Sequence, residues 1–225
     1  VMYLLLWIPA ASVLSYGTSA LFAGRFKLKR NTFLLFYVPT ALLLIGAYLL
    51  WSDADIIATW RVNVLWGLLG AVILSLIAVR HVIQQDAYPR RQGMDFTLDV
   101  LWPGLAYGSA DAMLLSVAPV GVVYESFFGS NWTIDLIGHP GVAGLALVAS
   151  LIVTLFYHWG YPEYRSKQVL GTLGGNGLFT LGYLLTGNPL AAVIPHVVMH
   201  IASVWHGRET TFQLPPHYPE QRGTL

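Results

Sequence analysis

The chain of 225 residues has no cysteine and very little charge. Without cysteine it has no disulfide, no thiolate metal site and no cysteine nucleophile. Charged residues make up 10% of it, against about 25% in soluble domains. A net charge of +1 excludes the dense basic surface that nucleic-acid binders carry, so no nucleic-acid partner is expected. Lysine is scarce as well. The last one, Lys167, precedes the final two apolar runs. A retinal pigment needs a Schiff-base lysine in its last span, so that class of seven-span protein is set aside.

What is present is apolar sequence: 56% of the residues, with a mean hydropathy of +0.60. A bilayer span needs about 20 mostly apolar residues. Seven runs of about that length occur, near 3–22, 32–51, 62–79, 98–123, 142–158, 169–185 and 189–205. The expectation is an all-α polytopic bundle of about seven transmembrane helices, forming one transmembrane domain over 1–225. Within it, 1–97 is a three-span N-terminal part, 98–205 a four-span core and 206–225 a short Pro-rich cytoplasmic tail.

Charge orients the bundle. Arg25, Lys27, Lys29 and Arg30 follow the first run, and Arg80, Arg90 and Arg91 the third. Arg165 and Lys167 follow the fifth, and Arg208 and Arg222 the seventh. The alternate connections hold Arg61 with Asp53 and Asp55, then Glu125 and Asp135. Of the 12 basic residues, all but Arg61 fall on one side. By the positive-inside rule that side is cytoplasmic, with the N-terminus outside and the C-terminus inside. The partition fits a bacterial inner membrane. The first run lacks a basic residue before it and has a basic cluster after it, which predicts a retained anchor.

Two glycine pairs, Gly104-x-x-x-Gly108 and Gly171-x-x-x-Gly175, have the spacing that brings membrane helices close. The second lies in GTLGGNG, which lacks the Lys-Ser/Thr of a phosphate loop. The link Thr186-Gly187-Asn188-Pro189 predicts a tight antiparallel hairpin. There Gly187 stops one helix, Asn188 caps the next and Pro189 enters its first turn.

Ionisable groups at membrane depth are costly and tend to face the bundle interior. Here they are Asp111 in the fourth run, His158 at the end of the fifth, and His196 and His200 in the seventh. His196 and His200 have i, i+4 spacing and so share one helical face. A central aspartate costs about 2.5–3.5 kcal/mol to insert, so Asp111 needs partners, and the histidines are available. His81, His139, His206 and His217 fall at or beyond span ends and read as interfacial. Three chemistries suit the set. A carboxylate could activate water with histidine help. His196, His200 and Asp111 could hold a metal, although no H-E-x-x-H is present. Two histidines on facing helices could ligate haem.

The order of these residues resembles the CPBP family of membrane proteins, which includes CAAX prenyl endopeptidases and bacteriocin-processing proteins. The resemblance spans roughly residues 100–205. It is carried by TGNPLAAVIPHVVMH, with Thr186-Gly187-Asn188 as the turn and His196 as the family histidine. His200 stands where the family has Asn or a small residue. His158 matches the second-motif histidine, although Phe156 precedes it by two positions and not four. ADAMLLS, residues 110–116, lies in place of Glu-Glu-x-x-x-Arg, with Ala110, Asp111 and Leu115 at those three positions.

The resemblance implies a conical bundle with a polar cavity open to the cytoplasm. It does not imply intact catalysis; the first reading is a divergent CPBP-like protein acting as an intramembrane peptidase on a peptide or the tail of a membrane protein. In that scheme Asp111 activates water, His158 and His196 orient it, and His200 binds developing negative charge. No resident cofactor is then required, with a metal ion or haem at His196 and His200 left open. The departures at Ala110 and Leu115 keep an alternative open, a non-catalytic relative serving as a binding or scaffold subunit of a membrane complex. The eight tryptophans, which suit an interfacial belt or a partner surface, fit that alternative too.

Overall fold

The computed structural model describes residues 2–207 and 214–215. Every regular element among them is helical. The helices are α1 (Met2–Arg25), α2 (Arg30–Trp51), α3 (Ile56–Arg61), α4 (Val64–Ile83), α5 (Gly93–Phe128), α6 (Pro140–Trp159), α7 (Val169–Thr186) and α8 (Leu190–His206). Each of the seven apolar runs lies within a long helix or overlaps one closely. By length and apolarity, α1, α2, α4, α5 and α6 are sufficient to cross a bilayer. Of the other two, α7, at 18 residues, is interrupted by glycines, threonines and Asn176, and α8 is shorter, at 17 residues.

The fourth helix outruns the apolar segment that announces it. It begins at Gly93 and includes Asp95 and Thr97, polar residues before the apolar run that hydropathy alone omits. At its other end Glu125, expected in a connection, lies inside the helix and is buried. Tyr48 Oη and Ser52 Oγ donate to its Oε2 at 3.0 and 2.7 Å, and the Asp53 N–H donates to Oε1 at 2.8 Å. Three donors satisfy a carboxylate that has to be dry. Glu125 thereby fastens the end of α2 to α5.

The most buried of those five helices is α5 and the least buried is α4. Helix α5 is also irregular. Wider π-type turns occupy Val100–Ala106, around Pro103, and Met113–Val117. Such turns re-aim side chains and leave carbonyls available to other partners. Outside this centre α4 packs chiefly on α8 and exposes Leu65, Trp66, Val72, Ile73 and Leu76. An apolar face of that size belongs against hydrocarbon or another apolar surface.

The two glycine pairs behave differently. A Cβ at Gly104 would lie 3.1 Å from Ile201 Cγ1, and one at Gly108 3.0 Å from His200 Cδ2 and 3.1 Å from Val197 Cα. This pair is where α8 rests on α5. Gly171 and Gly175, by contrast, meet nothing within 4 Å. They line a cavity, so the expectation of a second packing stripe is corrected.

The hairpin forms as its sequence predicts. Gly187 takes the left-handed conformation, with φ +67°, and its N–H bonds the Tyr183 carbonyl at 2.8 Å. Asn188 Oδ1 accepts from the Leu190 N–H at 2.9 Å, while its Nδ2 donates to the Trp60 and Val62 carbonyls at 3.1 and 2.6 Å. Asn188 therefore caps α8 and also grips the α3–α4 turn. Gly67 makes room for it, since a Cβ there would fall 2.6 Å from Asn188 Oδ1. Gly67→Ala gains about 1 kcal/mol of helix propensity. It displaces an amide held at three points, however, and we expect a net loss of about 1–2 kcal/mol. Thermal unfolding in detergent checks this, and a stabilised variant would show that Asn188 is less firmly held.

Arg208, His217, Arg222 and most of the tail lie outside the described residues. Leu214 and Pro215 are buried, and Arg30 Nε donates to the Pro215 carbonyl at 3.0 Å. At the same end, His206 Nε2 donates to the Gln85 carbonyl at 2.8 Å and Arg90 lies over the Trp205 ring at 4.5 Å. His206 thus ties α8 to the chain after α4. His139 is exposed before α6.

Candidate functional site

Asp111 sits in the regular turn Tyr107–Ala112, between the two π-type stretches of α5. Its side chain is buried. Tyr37 of α2 donates its hydroxyl to Oδ1. His196 Nε2 lies 3.1 Å from Oδ2, and His200 Nε2 lies 3.8 Å from the same oxygen. The i, i+4 spacing on α8 does what the helical repeat requires. The two imidazoles stack, with centroids 5.3 Å apart and planes 27° from parallel. Gly108 lets α8 approach near enough for both to reach one carboxylate.

The bonds assign protons. A carboxylate only accepts, so the neutral His196 ring carries its hydrogen on Nε2 and a lone pair on Nδ1. That Nδ1 is buried and has no hydrogen-bond partner among the described residues. Phe179 packs on His196 and Tyr107 meets His200 edge-on, at centroid distances of 5.3 and 4.7 Å. These rings hold the imidazoles in place.

Asp111, His196 and His200 line a cavity of about 490 Å³. It extends to His81 and Gln85, near the end of α4, and to Gly171, near the start of α7. Those helix ends belong to the side where the basic connections lie. Among the described residues, no Lys or Arg lines it, so the Asp111 charge is met by hydrogen bonds and imidazoles alone. Its glycine-rich wall comes from GTLGGNG.

His158 lines the same cavity but does not join the Asp111 cluster. Its Nδ1 lies 2.9 Å from the Thr154 carbonyl of its own helix. A carbonyl only accepts, so Nδ1 carries the hydrogen and a neutral ring keeps its lone pair on Nε2. Beyond α6, Tyr164 packs edge-on against His158. Burial, reinforced by Glu163, holds the Tyr164 hydroxyl above its ordinary range, so it stays protonated. His81, expected to be only interfacial, also lines the cavity.

Tyr37, Tyr107 and Asn176 carry no motif in the sequence. Twelve tyrosines give no reason to choose Tyr37. A polar residue inside an apolar run was the available signal for Asn176. Its Oδ1 accepts from Ser116 Oγ at 2.9 Å. Its Nδ2 donates to Ser150 Oγ at 2.9 Å and Thr154 Oγ1 at 2.7 Å. Thr180 Oγ1 closes the set, at 2.9 Å from Ser116 and 2.8 Å from Ser150. This network joins α5, α6 and α7 beside the cavity. Ser150 also donates to the Leu115 carbonyl at 2.6 Å, within the second π-type stretch.

A haem pair needs imidazoles on opposite sides of the iron. His196 and His200 come from one helix and stack, an arrangement unlike an axial pair. Comparison with known proteins finds no matching protein family, no matching curated protein and no matching solved structure.

Proposed function

We propose that this chain is a seven-span, N-out membrane hydrolase of the CPBP type, which cleaves a peptide or a membrane-protein tail within its cavity. The reading rests chiefly on the convergence of His196 and His200 on one carboxylate oxygen of Asp111 beside that cavity. Exposed Trp51 and Trp66 at one end of the bundle, with Trp159 and Trp205 at the other, suit two interfacial belts. The basic connections then face the cytoplasm of a bacterial cell, and the cavity opens there.

In this reading a water lies at Asp111. A carboxylate oxygen has two lone pairs, so Oδ2 keeps one for the water while His196 holds the other. The water oxygen bonds to the substrate carbonyl carbon as its proton passes to Asp111. His200, as an N–H donor, stabilises the oxyanion. The C–N bond then breaks, and the proton moves from Asp111 to the leaving amine. His158 contributes its Nε2 lone pair as an acceptor that orients water or substrate. Dry apolar walls strengthen each of these electrostatic effects.

Purified protein reconstituted in lipid vesicles, incubated with membrane-anchored peptides, is expected to generate new termini seen by mass spectrometry. His200→Ala should slow this by about 10²–10³-fold, the usual cost of an oxyanion donor. Absence of cleavage, or full cleavage by the variant, overturns the reading.

A second reading is supported by the bonds Asp111 already makes. Both of its oxygens are engaged by protein groups, which suits a latch between α2, α5 and α8 in a non-catalytic scaffold subunit. A stoichiometric membrane partner that co-purifies with an inactive chain would favour it.

A further inference from the structure

The same cluster has the makings of a metal centre. Asp111, His196 and His200 each offer a ligand atom, and these atoms lie within 4.8 Å of one another. Zinc binds imidazole nitrogen and carboxylate oxygen at about 2.0–2.2 Å, which places tetrahedral ligand atoms about 3.4 Å apart. Asp111 Oδ2 lies 3.1 Å from His196 Nε2 and 3.8 Å from His200 Nε2, on either side of that figure. All three side chains are buried and so preset. Tyr37 holds the other carboxylate oxygen from outside the cluster, as outer-shell partners of ligating carboxylates do. The cavity gives access to a fourth position, the hallmark that separates catalytic from structural zinc sites.

Charge favours occupation too. A buried carboxylate with no lysine or arginine among the described cavity residues gains most from a divalent cation. Binding replaces the His196–Asp111 hydrogen bond. The imidazole hydrogen moves to Nδ1, and the Nε2 lone pair turns to the metal. We propose that Asp111, His196 and His200 bind one zinc-class divalent ion, leaving its remaining position open to the cavity. The proposal deepens the hydrolase reading and rests on the same cluster. In it Asp111 acts as a ligand, and the metal supplies the acidity that makes water a nucleophile near neutral pH.

The test is zinc binding by the full chain, purified without a polyhistidine tag and stripped with chelator. Elemental analysis after zinc loading is expected to show stoichiometric metal, retained by His139→Ala, whose exposed ring is far from the cluster in the chain. His196→Ala and His200→Ala should each lose it. Tyr37→Phe keeps every ligand, so it guards against misfolding of the histidine variants; it should bind zinc about 10–100-fold more weakly. Cobalt(II) loading of the unmodified chain should give the visible bands of a four-coordinate N/O site. A folded chain that takes up no zinc and shows no such cobalt spectrum overturns the proposal, and so does zinc that survives in both His196→Ala and His200→Ala. Metal uptake without hydrolysis supports the metal site and removes the hydrolase reading. Chelator-resistant hydrolysis by a zinc-free chain does the reverse.

Discussion

On the proposed hydrolase reading, Asp111→Asn is expected to slow peptide cleavage by about 10²–10⁴-fold while the bundle stays folded. Asparagine keeps the shape, and its Oδ1 still accepts from Tyr37. Its amide nitrogen cannot accept, so His196 has to change tautomer and present a lone pair on Nε2. The hydrogen then sits on the buried Nδ1, so one donor is left unpaired where removal of the carboxylate leaves two. Asp111→Ala leaves the Tyr37 hydroxyl and the His196 N–H without their acceptor, at about 1–3 kcal/mol for each buried group left unpaired. The two variants separate chemistry from architecture. Cleavage rates in vesicles, together with thermal unfolding in detergent, read both quantities. Cleavage by Asp111→Asn at the unmodified rate would remove Asp111 from the reaction.

The second large effect concerns stability. Asn176→Leu is expected to destabilise the chain by about 2–3 kcal/mol. Single hydrogen bonds between membrane helices average only about 0.6 kcal/mol. Asn176, however, accepts from Ser116 and donates to Ser150, Thr154 and the Leu115 carbonyl, so several bonds go at once. The groups left behind, Ser116, Ser150 and Thr154, are buried, and an unpaired buried group costs about 1–3 kcal/mol. Ser116→Ala removes fewer partners and should cost less than half as much. Because Asn176 also lines the cavity, cleavage should fall in step with the folded fraction and no further. A change in stability within about 0.5 kcal/mol, the range of an ordinary surface substitution, would show that the network contributes nothing net.

Much of the candidate site was legible because charge is so rare here. Among apolar runs, an aspartate and an i, i+4 histidine pair stand out, and each has a reason to face inward. Gly104 and Gly108 were legible for the same kind of reason, a spacing that repeats on one helical face. The identical spacing at Gly171 and Gly175 misled, because small residues serve a close contact and an open wall equally well. Glu125 was misplaced because it terminates the apolar run. Hydropathy ends a helix at a charge, whereas the backbone continues wherever that charge finds donors. Tyr37 carried no signal at all.

The division follows from the range of the forces involved. Helical class, the apolar lengths and the Gly187–Asn188 hairpin are local properties. They were set by composition and by the need of a backbone in hydrocarbon to satisfy its own hydrogen bonds. Residue order within each segment suffices for those, and for the shared face of His196 and His200. What that face meets depends on the packing of distant helices. Asp111 lies 85 residues from His196 and 74 from Tyr37, so their contact depends on how α2, α5 and α8 pack. Helical periodicity relates residues within one helix and carries no information about rotation between helices. That rotation was set by where glycines admit a neighbour, as Gly108 admits His200.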